Sequence, residues 1–155
     1  MYRSIPRGIP TMRMGLGRLG EAPVTPAGPA PSTGAPFYEE DHQYVLNISL
    51  TASQANLVSL LNLDGDADFL WIAKAGSSTG TYRLQFTLPN SRRMSNAQIN
   101  AANYIGTAQW PVPLERPYLC PAGSTIAVNS TDTSGAGNTV QLVFIGINRY
   151  RTTQG

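Results

Sequence analysis

Side chains alternate in character at every second residue along two stretches of the chain, and no other feature constrains the fold as tightly. Across residues 42–51, Tyr44, Leu46, Ile48 and Leu50 alternate with Val45, Asn47, Ser49 and Thr51; across 81–88, Tyr82, Leu84, Phe86 and Leu88 alternate with Thr81, Arg83, Gln85 and Thr87. Successive side chains of a strand point to opposite faces, so both stretches are predicted to be half-buried strands. Residues 124–130 set Ile126 and Val128 on one face, and 139–147 set Val140, Leu142 and Phe144 opposite Val143, Ile145 and Ile147, with Gly146 a candidate bulge. The run Phe-Leu-Trp-Ile-Ala at 69–73 is apolar throughout, as in a central strand covered on both faces. Turn formers cluster at 63–68, 76–81, 89–93, 121–124 and 131–138. Residues 55–63 fit a strand or a helical turn or two, and 95–104 fit a short helix capped by Ser95 or a loop.

Charged residues make up only 13% of the chain, while Gly 15 and Pro 12 punctuate it, which disfavours an all-helical protein. Six or seven short strands at this spacing predict an all-β fold over residues 37–155, an antiparallel β-sandwich of jelly-roll or immunoglobulin-like type. No repeat of 20–50 residues is visible, so propellers and solenoids are excluded.

Residues 1–36 follow a different rule. Seven prolines and six glycines fall there, 13 of 36 positions. Proline removes amide donors and glycine raises the entropy of the unfolded chain, so the segment is expected to be an extended arm unable to build a core of its own. Its first 20 residues carry four arginines and no acid, about +4, whereas residues 21–155 carry seven cations against nine acids, about −2. Apolar anchors interleave with the arginines: Tyr2, Arg3, Ile5, Arg7, Ile9, Met12, Arg13, Met14, Leu16, Arg18 and Leu19. A mere spacer has no use for them, and they suit an arm lying along a partner's surface. Of eleven cations only Lys74 is a lysine; arginine favours planar ion pairs at contacts. Four arginines over 18 residues, with Tyr2 the one aromatic among them, are too sparse for a nucleic-acid site. No signal-peptide-type apolar run opens the sequence and no window of 18 apolar residues occurs, so a chain neither secreted nor embedded in a membrane is expected.

Chemistry-bearing motifs are few. Asp64, Asp66 and Asp68 have the spacing that begins a calcium loop, but Phe69 stands where that loop needs glycine and Ala75 where it needs glutamate, which leaves an acidic turn leading into a strand. Gly76 to Gly80 (GSSTG) has no lysine after it and precedes a strand, so a hairpin turn is expected rather than a phosphate loop. One cysteine, Cys120, and one histidine, His42, exclude a disulfide framework and a Cys/His zinc site; Cys120 between Leu119 and Pro121 reads as a small buried hydrophobe. No cofactor and no catalytic or metal-binding residues are expected, and the chain does not read as an enzyme. The stretch 106–123 holds Trp110, Tyr118 and four prolines, and is expected to be a rigid loop closing one end of the core, unless Trp110 is exposed and serves as a contact.

Several of these elements together resemble the β-sandwich domain of small virion structural proteins of tailed bacteriophages, head decoration (cement) or minor capsid proteins above all. The likeness is carried by Ala67-Asp68-Phe69-Leu70-Trp71, by Pro117-Tyr118 ahead of the Pro121–Ser124 turn, by Asp132-Thr133-Ser134-Gly135 with Asn138, and by the closing strand Val140 to Gly146. It covers about residues 64–151, is structural in kind, transfers no catalytic residue and leaves the arm outside. The resemblance implies a virion subunit working by adhesion, partnered by the major capsid protein or neighbouring virion proteins and homo-oligomeric, its arm clamping adjacent subunits. The alternative is a carbohydrate- or receptor-binding module of a tail or baseplate using Trp110, Tyr118 and the 131–138 loop.

Overall fold

A computed structural model describes residues 37–152. These form eight strands: β1 (Phe37–Leu50), β2 (Leu57–Asn62), β3 (Ala67–Ser78), β4 (Tyr82–Thr87), β5 (Ile99–Asn100), β6 (Val112–Cys120), β7 (Thr125–Asp132) and β8 (Asn138–Arg151). They make two antiparallel sheets of four, ordered β1-β8-β3-β6 and β2-β7-β4-β5. The pairs β1–β8, β2–β7 and β4–β5, with β3–β6, are those of one long hairpin, and β3–β8 and β4–β7 are the pairs made when that hairpin rolls up. Of the two expected sandwiches, this order is the jelly roll. The arm residues from Tyr2 to Leu19 lie outside the described residues.

The alternating stretches are strands, with Tyr44, Ile48, Leu50, Leu84 and Phe86 facing inward and buried. Residues 55–63 take the strand reading, with Leu61 inward and Val58 and Leu60 outward. The core is aromatic at its centre: Trp71 packs on Phe144 at 5.0 Å and edge-on to Phe86 at 5.3 Å between ring centroids. Such pairs add about 0.5–1.5 kcal/mol each beyond the area they bury.

Gly146 does sit at a bulge, though the extra residue is on the neighbouring strand. Trp71 pairs with Gly146 but Ala73 with Ile145, so β3 carries one residue more than β8. The bulge reverses β3's phase: Phe69 and Trp71 face the core before it, and Lys74 pairs with inward Phe144 after it. The Trp71 indole N–H donates to the Ala73 carbonyl at 2.8 Å, tying the irregular turn of strand to the core. A Cβ at Gly146 would stand 2.1 Å from the Leu70 carbonyl oxygen, which is why the position needs glycine.

Several expectations are corrected. Residues 106–123 are not a loop throughout, because β6 occupies 112–120. Its prolines hid it: Pro113 and Pro117 lack amide donors, yet β6 is the sheet's edge, and its pairing with β3 is broken between Pro113 and Tyr118. The glycines at 76–80 do not form a hairpin turn, since β3 runs to Ser78 and β4 belongs to the other sheet. The corner between sheets is held by buried Asn138, whose Oδ1 accepts from the Gly80 amide at 2.9 Å and whose Nδ2 donates to the Thr81 carbonyl at 3.2 Å. Residues 95–104 are neither helix nor plain loop; they give β5 and one 3-10 turn at Ala101–Asn103.

Candidate interaction surface

The run at 69–73 is central, as expected, but it is not covered on both faces within the described chain. Leu70 and Ile72 point away from the core and are half-buried. Cross-strand pairing extends this into a continuous patch: Leu70 lies between Ile147 and Leu119, and Val143 pairs with Val45. With Ile145 between them on β8, these side chains form an apolar band across all four strands of the β1-β8-β3-β6 sheet. Val45 is 48% exposed and Leu119 44%, while Val143, Ile145 and Ile147 are half-buried.

Charge stands at the end of this band. Arg149 Nε donates to Glu39 at 2.6 Å, and Arg151 reaches Asp68 at 3.4 Å. A shallow cleft of about 330 Å³ lies there, lined by Phe37, Asp68, Leu119, Arg149 and Arg151, and the Arg149 guanidinium sits 5.6 Å from the Phe37 ring centroid. The partly exposed ion pairs themselves contribute little to folding.

Trp110 is 78% exposed, which overturns the expectation of a lid. It ends a tight turn in which Trp110 and Thr107 exchange backbone hydrogen bonds at 3.1 Å. Gly106 permits that turn, because a Cβ there would stand 2.2 Å from the Trp110 carbonyl oxygen. Tyr104 and Ile105 instead pack against the core at this end. Beside the turn, a cleft of about 490 Å³ is lined by Gly76, Gly80, Asn100, Ile105, Thr107 and Thr133. Neither Trp110 nor Tyr118 lines it; Tyr118 pairs with Trp71, further along β6.

The remaining candidates are structural. Cys120 is wholly buried and its thiol is pushed up to about 12 by that burial, so it packs as a hydrophobe. His42 stacks edge-on against Tyr44. Asp64 accepts from the Tyr44 hydroxyl at 2.9 Å and Asp68 from the Ala122 amide at 2.9 Å, which ties the acidic turn to its neighbours. Lys74, over the Tyr104 ring at 3.6 Å, is lowered to about 8 by burial, with Glu115 acting in the opposite sense. Among the described residues no helix is long and apolar enough to cross a membrane. Compared with known proteins, the chain matches no family model and no curated protein.

Proposed function

We propose that the chain is a structural virion subunit of a tailed phage, decorating or cementing a capsid or neck by contacts across subunit boundaries, and that it does no covalent chemistry. The observation that carries this reading is the apolar band from Val45 to Leu119, which the sequence suggests is covered and which the described chain leaves open to a partner. Contiguous apolar patches on a soluble fold are costly unless something docks on them. The jelly roll adds support by analogy of fold alone, being an architecture that capsid and lectin domains share. The partners are the major capsid protein or other copies of this chain, and the arm, with Arg3 to Leu19, adds area across the boundary.

Co-sedimentation of the full chain with particles depleted of it tests the proposal. Ile145→Asp is expected to abolish attachment while leaving the melting transition cooperative; attachment equal to the parent's contradicts the reading. Deletion of residues 1–20 should weaken attachment, and unchanged affinity would remove the clamp from the account.

Exposed Trp110, at the end of the turn whose Gly106 and Thr107 line the 490 Å³ cleft, favours a second reading, a saccharide- or receptor-binding module. Glycan binding that is lost in Trp110→Ala, together with normal behaviour of Ile145→Asp, would favour that module over the shell subunit.

A further inference from the structure

The outer face of the other sheet carries a different surface. Arg83 and Gln85 of β4 point outward and pair with Thr131 and Asn129 of β7. The backbone N–H of Asn56, ahead of β2, donates to Thr131 Oγ1 at 3.0 Å, and the segment 93–98 folds over the far side. Together they enclose a cleft of about 520 Å³. Its lining contains two arginines, three asparagines and two glutamines, with no acid and no aromatic ring.

Two features say what such a cleft would take. Neither Arg83 nor Arg93 makes an ion pair among the described residues, whose salt bridges are Arg149–Glu39 and Arg151–Asp68. Two unneutralised guanidiniums in one concavity favour a carboxylate, which they can hold through paired N–H donors. The Gln98 amide is held only by 3.4 Å contacts to Asn56 Oδ1 and the Asn129 carbonyl, so it can turn toward a ligand. By contrast Gln85, buried, donates to the Ser95 carbonyl at 2.7 Å and fixes the wall.

We infer that this cleft binds a carboxylated saccharide, with Arg83 and Arg93 on the carboxylate and Asn56 and Gln98 on ring hydroxyls. Side-chain amides both donate and accept, which matches vicinal hydroxyls. A nucleic acid is disfavoured because two cations without an aromatic platform offer neither a backbone track nor base stacking. The inference is independent of the shell reading, since it uses the opposite face, and independent of Trp110, which does not line the cleft.

Isothermal titration of the full chain with trigalacturonate and with sialyllactose, two sources of the same chemistry, tests it. Binding of either is expected. Arg83→Ala and Arg93→Ala should each weaken it about tenfold, the scale of one lost charge-assisted hydrogen bond. The methyl ester of trigalacturonate should bind at least about tenfold more weakly than the acid if trigalacturonate is the ligand bound. Trp110→Ala and Ile145→Asp should leave saccharide affinity unchanged, separating this site from both readings above. Both arginines are exposed, so an unchanged melting temperature certifies the variants. Binding of neither acid, binding that ignores both arginine substitutions, or tighter binding of an oligothymidylate would overturn the inference.

Discussion

Replacing Gly146 by alanine tests the bulge that decides which side chains of β3 face outward. The added Cβ would lie 2.1 Å from the Leu70 carbonyl oxygen and 2.8 Å from the Phe69 ring. Ordinary carbon–oxygen contact is more than 3 Å, so roughly 1 Å of overlap must be relieved, and the atom in the way is backbone of the adjacent central strand. Phe69 cannot retreat freely either, being wholly buried and edge-on to Tyr44 at 4.9 Å. Overpacking commonly costs about 1–3 kcal/mol, and a clash against a fixed ladder belongs at the upper end or above. A loss of about 3 kcal/mol would lower the melting temperature of a domain this size by roughly 10 °C. Urea unfolding followed by circular dichroism measures it. Gly65→Ala is the control: nothing lies within 4 Å of its Cβ, so it should stay within about 1 kcal/mol of the parent. If Gly146→Ala also unfolds within about 0.5 kcal/mol of the parent, the close approach of β3 and β8 described above is wrong.

Lys74→Met should change the alkaline limb of stability. Burial lowers the amine in the folded state from 10.5 to about 8, so the folded protein releases its proton first and the parent gains stability as pH rises between those values. The variant should lack that gain in melting curves compared across the same range, whereas parallel curves would contradict the buried placement. Asp132 is held at about 2, first by the Ser134 hydroxyl at 2.6 Å and then by amides of Ser53, Ser134 and Gly135. Its contribution is complete above 3.8 and is lost as pH falls toward 2, so Asp132→Asn should melt lower at neutral pH and show a flatter acid limb. Cys120 should react with a thiol reagent only as fast as the protein unfolds, and rapid labelling of the native protein would refute its burial.

Period-two alternation made β1, β4 and β7 legible, because each has one face on the core and one toward solvent, whereas β8 shows as a longer run apolar on both faces. β6 was hidden: an edge strand tolerates Pro113 and Pro117, which would forbid a central one, and composition alone cannot say where the edge lies. The corner at Gly76 to Gly80 read as a hairpin because glycines mark a change of direction without saying which sheet the next strand joins. Among site residues, Trp110 was legible as a contact candidate, and its exposure turned on Gly106, whose role is set by a clash distance. The apolar band was present in the sequence as the doubly apolar runs at 69–73 and 139–147. Its openness was not, because periodicity predicts a buried face without naming the molecule that buries it. The arginine and amide cleft had no local signal at all, since Asn56, Arg83, Gln98 and Asn129 meet only through strand pairing and loop closure.

Hydroxyl-radical footprinting of assembled particles against the free protein addresses most directly the idea that a neighbour covers the outer face of the β1-β8-β3-β6 sheet. Protection of Ile145, Ile147 and Leu119 on assembly, with Val58 and Leu60 on the opposite sheet as readily labelled as before, is the expected pattern. Equal labelling of Ile145, Ile147 and Leu119 in both states would contradict the account.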